Sequence, residues 1–229
     1  MKLDISTHKT LLFQILKDIY SDRSIAPFLG FKGGTAALMF YDLDRFSVDL
    51  DFDLLDASKE ALVFEQVMKI IQKYGTVREA NRKRFGLFYV LSYEDKARHI
   101  KVEINLRRFG SHYEVKTYLG VSMLVMVPED VFAHKLVAMH ERIGKTSRDI
   151  YDVWFFLRQR FPINREIVEE RTNLPLDEFL QICIGQLERM SNRHVLDGIG
   201  EFLTASQKDW AKAKLREDTI AMLKLRLGS

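Results

Sequence analysis

Asp49, Asp51 and Asp53 alternate with Val48, Leu50, Phe52 and Leu54. A period of two is the signature of a strand, and it puts the three carboxylates on one face. Same-face neighbours on a strand stand about 6.5–7 Å apart, so two of them can converge on a hard cation lying over the strand. Like charges packed on one face repel unless something neutralises them. The natural neutraliser is a divalent metal, and Mg²⁺ takes one or two carboxylates together with substrate phosphates. Two plainer readings compete. One is a solvated strand face. The other is a calcium loop, since Asp49, Asp51, Asp53 and Glu60 fall at loop positions 1, 3, 5 and 12. Leu54 then occupies the position where the sharp turn needs glycine, which excludes the loop.

Three further features belong with the carboxylates. Glu103 lies between Val102 and Ile104 on a second alternating stretch. Beside a carboxylate strand it becomes a third metal ligand, or the base that takes a proton from an attacking hydroxyl. Lys32-Gly33-Gly34-Thr35 sits where a strand gives way to a helix. Its glycines allow close backbone approach, and the N–H groups of a new helix favour phosphate. The spacing is not that of a P-loop. Ser47 shares the face of Asp49, so its hydroxyl can touch a phosphate or a metal-bound water. Arg45 can meet a phosphate or pair with Asp42 or Asp44, and Asp152 can pair with Arg148 one turn before it.

These residues need elements to hold them. Apolar spacing predicts a helix over residues 6–19, a short strand over 28–31 and a helix over 35–41. A strand over 47–55 and an amphipathic helix over 58–74 follow. Strands are expected around Val77 and over 87–93, separated by a polar turn at Asn81-Arg82-Lys83-Arg84, with further strands over 99–106 and 121–127. From Pro128 the pattern turns helical: 129–142, 148–160, 176–190, 194–204 and 207–227. The chain therefore reads as α+β, with a mixed-sheet part over about 1–127 and an all-helical part over about 128–229.

Composition narrows the function classes. Of the 229 residues, 47% are hydrophobic and 29% charged, the profile of a globular protein. The one cysteine, Cys183, excludes an intramolecular disulfide framework and a zinc site built on paired cysteines. No apolar stretch near the first residues reads as a secretory leader, and no run approaches the roughly 20 residues of a membrane span. A cytoplasmic protein with no membrane partner is expected. The net charge of +3 hides a split: residues 42–60 carry seven acidic and two basic side chains, and residues 69–116 carry five acidic and twelve basic. Within the basic stretch Arg78, Arg82, Lys83, Arg84, Arg98, Lys101, Arg107 and Arg108 interleave with Phe85, Phe88, Tyr89 and Phe109. That mixture suits single-stranded RNA or a tRNA acceptor end, against the plainer reading of a solvated hairpin.

The run Lys32-Gly33-Gly34-Thr35-Ala36-Ala37-Leu38, followed by Arg45-Phe46-Ser47-Val48-Asp49-Leu50-Asp51-Phe52, resembles the AbiEii/AbiGii family of nucleotidyltransferase toxins, of the polymerase-β-like superfamily. The likeness continues through Ala133-His134-Lys135-Leu136 and Ser147-Arg148-Asp149-Ile150-Tyr151-Asp152-Val153. The resemblance implies a nucleotidyltransferase fold: a mixed sheet with flanking helices, then a helical domain that contributes Lys135 and Asp149 to the cleft. It implies that Lys32, Gly33, Gly34 and Thr35 hold an NTP, that Asp49 and Asp51 bind two Mg²⁺ ions, and that Glu103 completes the metal site. It implies Lys135 on the β- and γ-phosphates and Asp149 supporting the nucleotide pocket. In function it implies transfer of NMP to an acceptor such as tRNA, in a bacterial toxin–antitoxin or phage-defence system with a separately encoded antitoxin. Transfer to a protein or small molecule, and a non-catalytic nucleotide-binding module, remain as alternatives.

Overall fold

The computed structural model describes residues 5–93 and 98–227. Residues 1–4, where a leader would begin, and the Arg98 side chain of the basic stretch lie outside that description. The chain divides into two compact units. The first takes the chain up to Asp42, Ser47–Arg108 and His112–Met126; the second takes Leu43–Phe46, Phe109–Ser111 and everything from Val127.

The first unit is an α+β sheet domain. Helix α1 (Ile5–Ser21) leads into β1 (Leu29–Lys32), α2 (Gly33–Phe40), β2 (Leu50–Leu54) and α3 (Glu60–Ile71). Strands β3 (Thr76–Lys83), β4 (Gly86–Tyr93), β5 (Arg98–Asn105), β6 (Tyr113–Tyr118) and β7 (Val121–Met126) follow. They form a seven-stranded mixed sheet in the order β3-β4-β5-β2-β1-β7-β6. β2 runs parallel to β5 and β1 parallel to β7; the other pairs are antiparallel.

Strand alternation decides the faces. Leu50, Phe52, Leu87, Tyr89, Leu91, Ile100, Val102 and Ile104 are fully buried. Their face packs with Leu12, Ile15, Leu16 and Ile19 of α1 and Val63, Val67 and Ile71 of α3, also buried. Each such side chain contributes about 1.5–3 kcal/mol, before the chain entropy that opposes it. The opposite face carries the odd-numbered residues of β2 and β5, which include the carboxylates.

The second unit is helical. It comprises α4 (Pro128–Arg142), α5 (Arg148–Arg158), α6 (Arg165–Thr172), α7 (Leu176–Arg189), α8 (Ala205–Trp210) and α9 (Arg216–Leu227). Pro128 fits the first turn of α4, where its missing N–H costs nothing, and Glu129 and Asp130 suit that positive end. Residues 149–157 of α5 are all buried, so this helix is the centre of the unit.

The structure departs from the periodicity in identifiable places. The residues read as a turn at 81–84 largely belong to β3, an edge strand whose polar side chains need no buried face. β6, another edge strand, has no counterpart among the expected elements for the same reason, and neither does the short, mostly polar α6, which buries Ile167 and Val168. Residues 194–204, expected to be helical, form short 3₁₀ turns instead, with Gly198 at positive φ breaking any helix.

Candidate active site

The carboxylate strand is shorter than its pattern. β2 begins at Leu50, so Ser47, expected on the strand, lies before it and is buried, and Asp49 stands at the strand's entrance. Asp51 pairs in register with Glu103 of β5 on one side and with Lys32 of β1 on the other. Directly paired residues project to the same face, which places Asp51 and Glu103 side by side, about 4.8 Å apart at the backbone. Asp49 lies one step along the same row, where its carboxylate accepts the Lys101 N–H at 3.4 Å.

Asp53, the third member of the stripe, has a different fate. Its carboxylate accepts the Lys32 ammonium at 2.5 Å and the Tyr113 hydroxyl at 2.5 Å, and the residue is 8% exposed. The repulsion within the stripe is thus relieved at Asp53 by protein groups, and Asp53 was not among the residues expected to bind a metal. Lys32, expected at the nucleotide, holds that ion pair.

The glycine turn is shaped by the same strand. Gly33 has φ +78°, and a Cβ there would fall 2.2 Å from Asp51 Oδ2. Only glycine allows both the backbone angle and the close approach. Thr35 is buried, and its hydroxyl donates to the Asp49 carbonyl at 2.5 Å, which ties the first turn of α2 to the entrance of β2. No side chain caps α2, so its leading N–H groups are oriented as anion donors beside the carboxylate row.

Among the described residues, no three His, Cys, Asp or Glu side chains converge as a ready-made metal cage. The donor set nevertheless fits a hard cation of the Mg²⁺ type. Such an ion needs one or two carboxylates and completes its shell with water and phosphate oxygens. Asp51 beside Glu103, with Asp49 next in the row, supplies those carboxylates.

The helical unit holds Lys135 and Asp149 in a buried ionic network. The Arg45 guanidinium grips Asp152 through two bonds, Nε–Oδ1 at 2.5 Å and Nη2–Oδ2 at 2.6 Å. Lys135 Nζ lies 2.8 Å from Asp152 Oδ2 and 3.4 Å from Asp149 Oδ1. Arg142 reaches Asp149 Oδ2 at 3.3 Å from the surface. Burial by itself would push the Asp152 carboxyl up; Arg45, then Lys135, outweigh it and draw it down to about 2. Burial likewise opposes the charge on Lys135, but Asp152 and Asp149 hold its pKa above the ordinary lysine value.

Arg45 and Asp152 therefore form an ion pair with each other, and not with the partners expected from nearby sequence. The signal for Asp152 was present: Asp149 and Asp152 are three apart and share one face of α5 with a common cation. Nothing local marks Arg45, whose partner lies 107 residues away. In the basic stretch, Arg82 turns to Glu60 at 2.8 Å, and Phe109 belongs to the second unit, edge-on to His134.

A family model described as "Nucleotidyl transferase AbiEii toxin, Type IV TA system" matches residues 14–217. A candidate nucleotidyltransferase from H. pylori shares the fold with a TM-score of 0.64 at 20% identity, over 98% of this chain and 95% of that one. JHP933 from Helicobacter pylori does so with a TM-score of 0.57 at 20% identity, over 99% and 96%. An antigenic nucleotidyltransferase-like protein from Paracoccidioides brasiliensis follows at 0.50 and 14%, over 77% and 88%. A search of curated proteins finds no match.

Proposed function

The chain belongs to the AbiEii family of nucleotidyl transferase toxins, and from that premise we propose that it moves a nucleoside monophosphate from an NTP onto an RNA acceptor, tRNA in the first instance. The observation that carries the reading is the row of Asp49, Asp51 and Glu103 beside an uncapped, glycine-led helix. Carboxylates and phosphate-directed N–H groups are what nucleotidyl transfer asks of a protein, because the chemistry is mainly positioning and charge.

In this scheme Gly33, Gly34 and Thr35 hold the triphosphate at the start of α2. Asp49, Asp51 and Glu103 would hold Mg²⁺, which when bound supplies charge neutralisation to the attacking and leaving oxygens. The acceptor hydroxyl oxygen bonds to the α-phosphorus, the bond from that phosphorus to the bridging oxygen of the β-phosphate breaks, and pyrophosphate leaves. Glu103 accepts the hydroxyl proton. By the family resemblance Lys135 would be the point charge for the leaving pyrophosphate, and within its own unit Asp149 and Asp152 fix its ammonium. The family description makes an antitoxin a natural partner, and the setting we propose is the bacterial cytoplasm. Among the described residues no helix is long and apolar enough to cross a membrane.

The test is incorporation of labelled NTPs into cell lysate, followed by RNase or protease digestion. Label should be lost to RNase and absent with Asp49→Ala. Label that survives RNase and yields to protease would replace RNA with a protein acceptor. Unchanged labelling by Asp49→Ala would remove the carboxylate row from the chemistry.

A further inference from the structure

We propose that the open face of the β3–β4 hairpin, from Phe88 beside Glu103 out to Phe85 at the turn, holds the single-stranded end of a nucleic-acid acceptor by base stacking and phosphate pairing. This rests on the transfer reading above and adds where its acceptor lies.

The sheet register supplies the placement. Asp51 pairs with Glu103, Glu103 with Phe88, and Phe88 with Asn81, so one row crosses β2, β5, β4 and β3 on a single face. At about 4.8 Å per strand, Phe88 stands one step from Glu103 and about 10 Å from Asp51. Glu103 and Lys101 on this face are exposed, and Phe88 and Val90 are half-exposed. An aromatic ring therefore lies next to the residue proposed to take the acceptor's proton.

The side chains supply the chemistry. The Lys83 ammonium stands 4.6 Å from the centre of the Phe88 ring. Phe85 is 51% exposed, with the Arg84 guanidinium 4.9 Å and the Arg107 guanidinium 5.6 Å from its ring centre. Neither Lys83 nor Arg84 pairs with a carboxylate among the described residues. Arg82, before them in sequence, points to the helix-covered side and Glu60, so the open side is a selection of the basic residues.

A protected sheet edge is the competing account, because charges on an edge strand discourage pairing with other chains. Edge protection calls for the charges alone. A half-exposed phenylalanine at the tip works against it, whereas rings flanked by cations are what single-stranded nucleic acid stacks on.

The experiment is equilibrium binding of a fluorescent, unstructured oligonucleotide, in RNA and DNA forms, without NTP and over a range of salt. Phe85→Ala at the exposed turn should weaken binding about five- to a hundredfold, and Phe85→Trp should restore it. Lys83→Ala with Arg84→Ala should flatten the salt dependence, by about 0.7 in the log–log slope for each phosphate no longer neutralised. Thermal unfolding of the variants should match the wild type. The RNA and DNA arms show which sugar the face prefers, and aromatic-dependent binding of either upholds it. Wild-type protein that binds neither, or binding indifferent to Phe85 and to the Lys83 and Arg84 pair, overturns it. The two readings separate cleanly. Binding that persists in a protein that never labels RNA leaves this face standing and sinks the transfer reading. RNA labelling untouched by the hairpin variants does the reverse.

Discussion

Replacing Arg45 with leucine should destabilise the protein by about 3–5 kcal/mol, the range for stranding one member of a buried ion pair. The structure sets the size. The Arg45 side chain is 1% exposed and that of Asp152 0%, so water cannot replace what is removed. Two charge-assisted hydrogen bonds to Asp152 disappear, each worth about 1.5–3 kcal/mol, together with the Nη1 bond to the Phe46 carbonyl at 2.9 Å. Lys135 remains 2.8 Å from Asp152, which keeps the loss from growing further. Arg45→Lys should fall between wild type and Arg45→Leu, because an ammonium keeps the charge and loses the fork. The assay is the urea midpoint at constant slope. The double variant Arg45→Leu with Asp152→Leu is the sharper measurement: it strands no carboxylate at 152, so its loss should be well below the sum of the single losses. A loss under about 1 kcal/mol for Arg45→Leu, or strict additivity in the cycle, would refute the reasoning.

Acid should act on the same network. The Asp152 carboxyl is held at about 2 against an ordinary 3.8, so its contribution is present above about pH 4 and fades as pH falls toward 2. That loss, on the order of 2 kcal/mol, should appear as a falling melting temperature across that window and be smaller in Arg45→Leu. Gly33→Ala should cost transfer activity more than stability, since its Cβ would displace the Asp51 carboxylate; unchanged kcat/KM would contradict the close approach. Glu103→Gln should lower the transfer rate by about 10²–10⁴-fold while leaving nucleotide binding measurable by calorimetry. An unchanged rate and pH profile would take the proton away from Glu103.

How much of this was legible beforehand depends on where each side chain finds its partner. Residues whose placement follows from their own strand or turn were readable: the Asp49–Asp51 alternation, the Gly33-Gly34 break and the helical tail after Pro128 all declare themselves locally. Residues fixed by distant partners were not. Asp53 looks like its neighbours in sequence, and the arrival of Lys32, 21 residues before, and Tyr113, 60 residues on, separates it from them. Arg45 reads as a cation for a phosphate or for Asp42 or Asp44, and its burial depends on a helix far along the chain. β6 and the second half of β3 escaped because an edge strand needs hydrogen-bond partners on one side only and can be polar throughout. Register is the other blind spot: alternation says that Asp51 and Glu103 each face one way, and only the parallel pairing of β2 with β5 says that they face the same way as neighbours.

The four residues Leu43–Phe46 bear on the order in which the protein is made. They precede the carboxylate strand, yet they belong to the helical unit. The Phe46 N–H bonds to the Phe202 carbonyl, Asp44 accepts the Tyr151 hydroxyl, and the Gln207 amide reaches the Asp44 carbonyl across 163 residues. A ribosome delivers the chain from one end, and most multi-unit proteins complete their first unit before the next emerges. Here a nascent chain reaching Met126 already holds all the strands of the sheet, yet Arg45 has no Asp152 to pair with until α5 follows. The lead-in to the carboxylate strand is therefore fastened last. Cutting the gene at the composition boundary would leave the helical piece with Asp152 buried and without Arg45, and the sheet piece carrying that arginine with nowhere to place it.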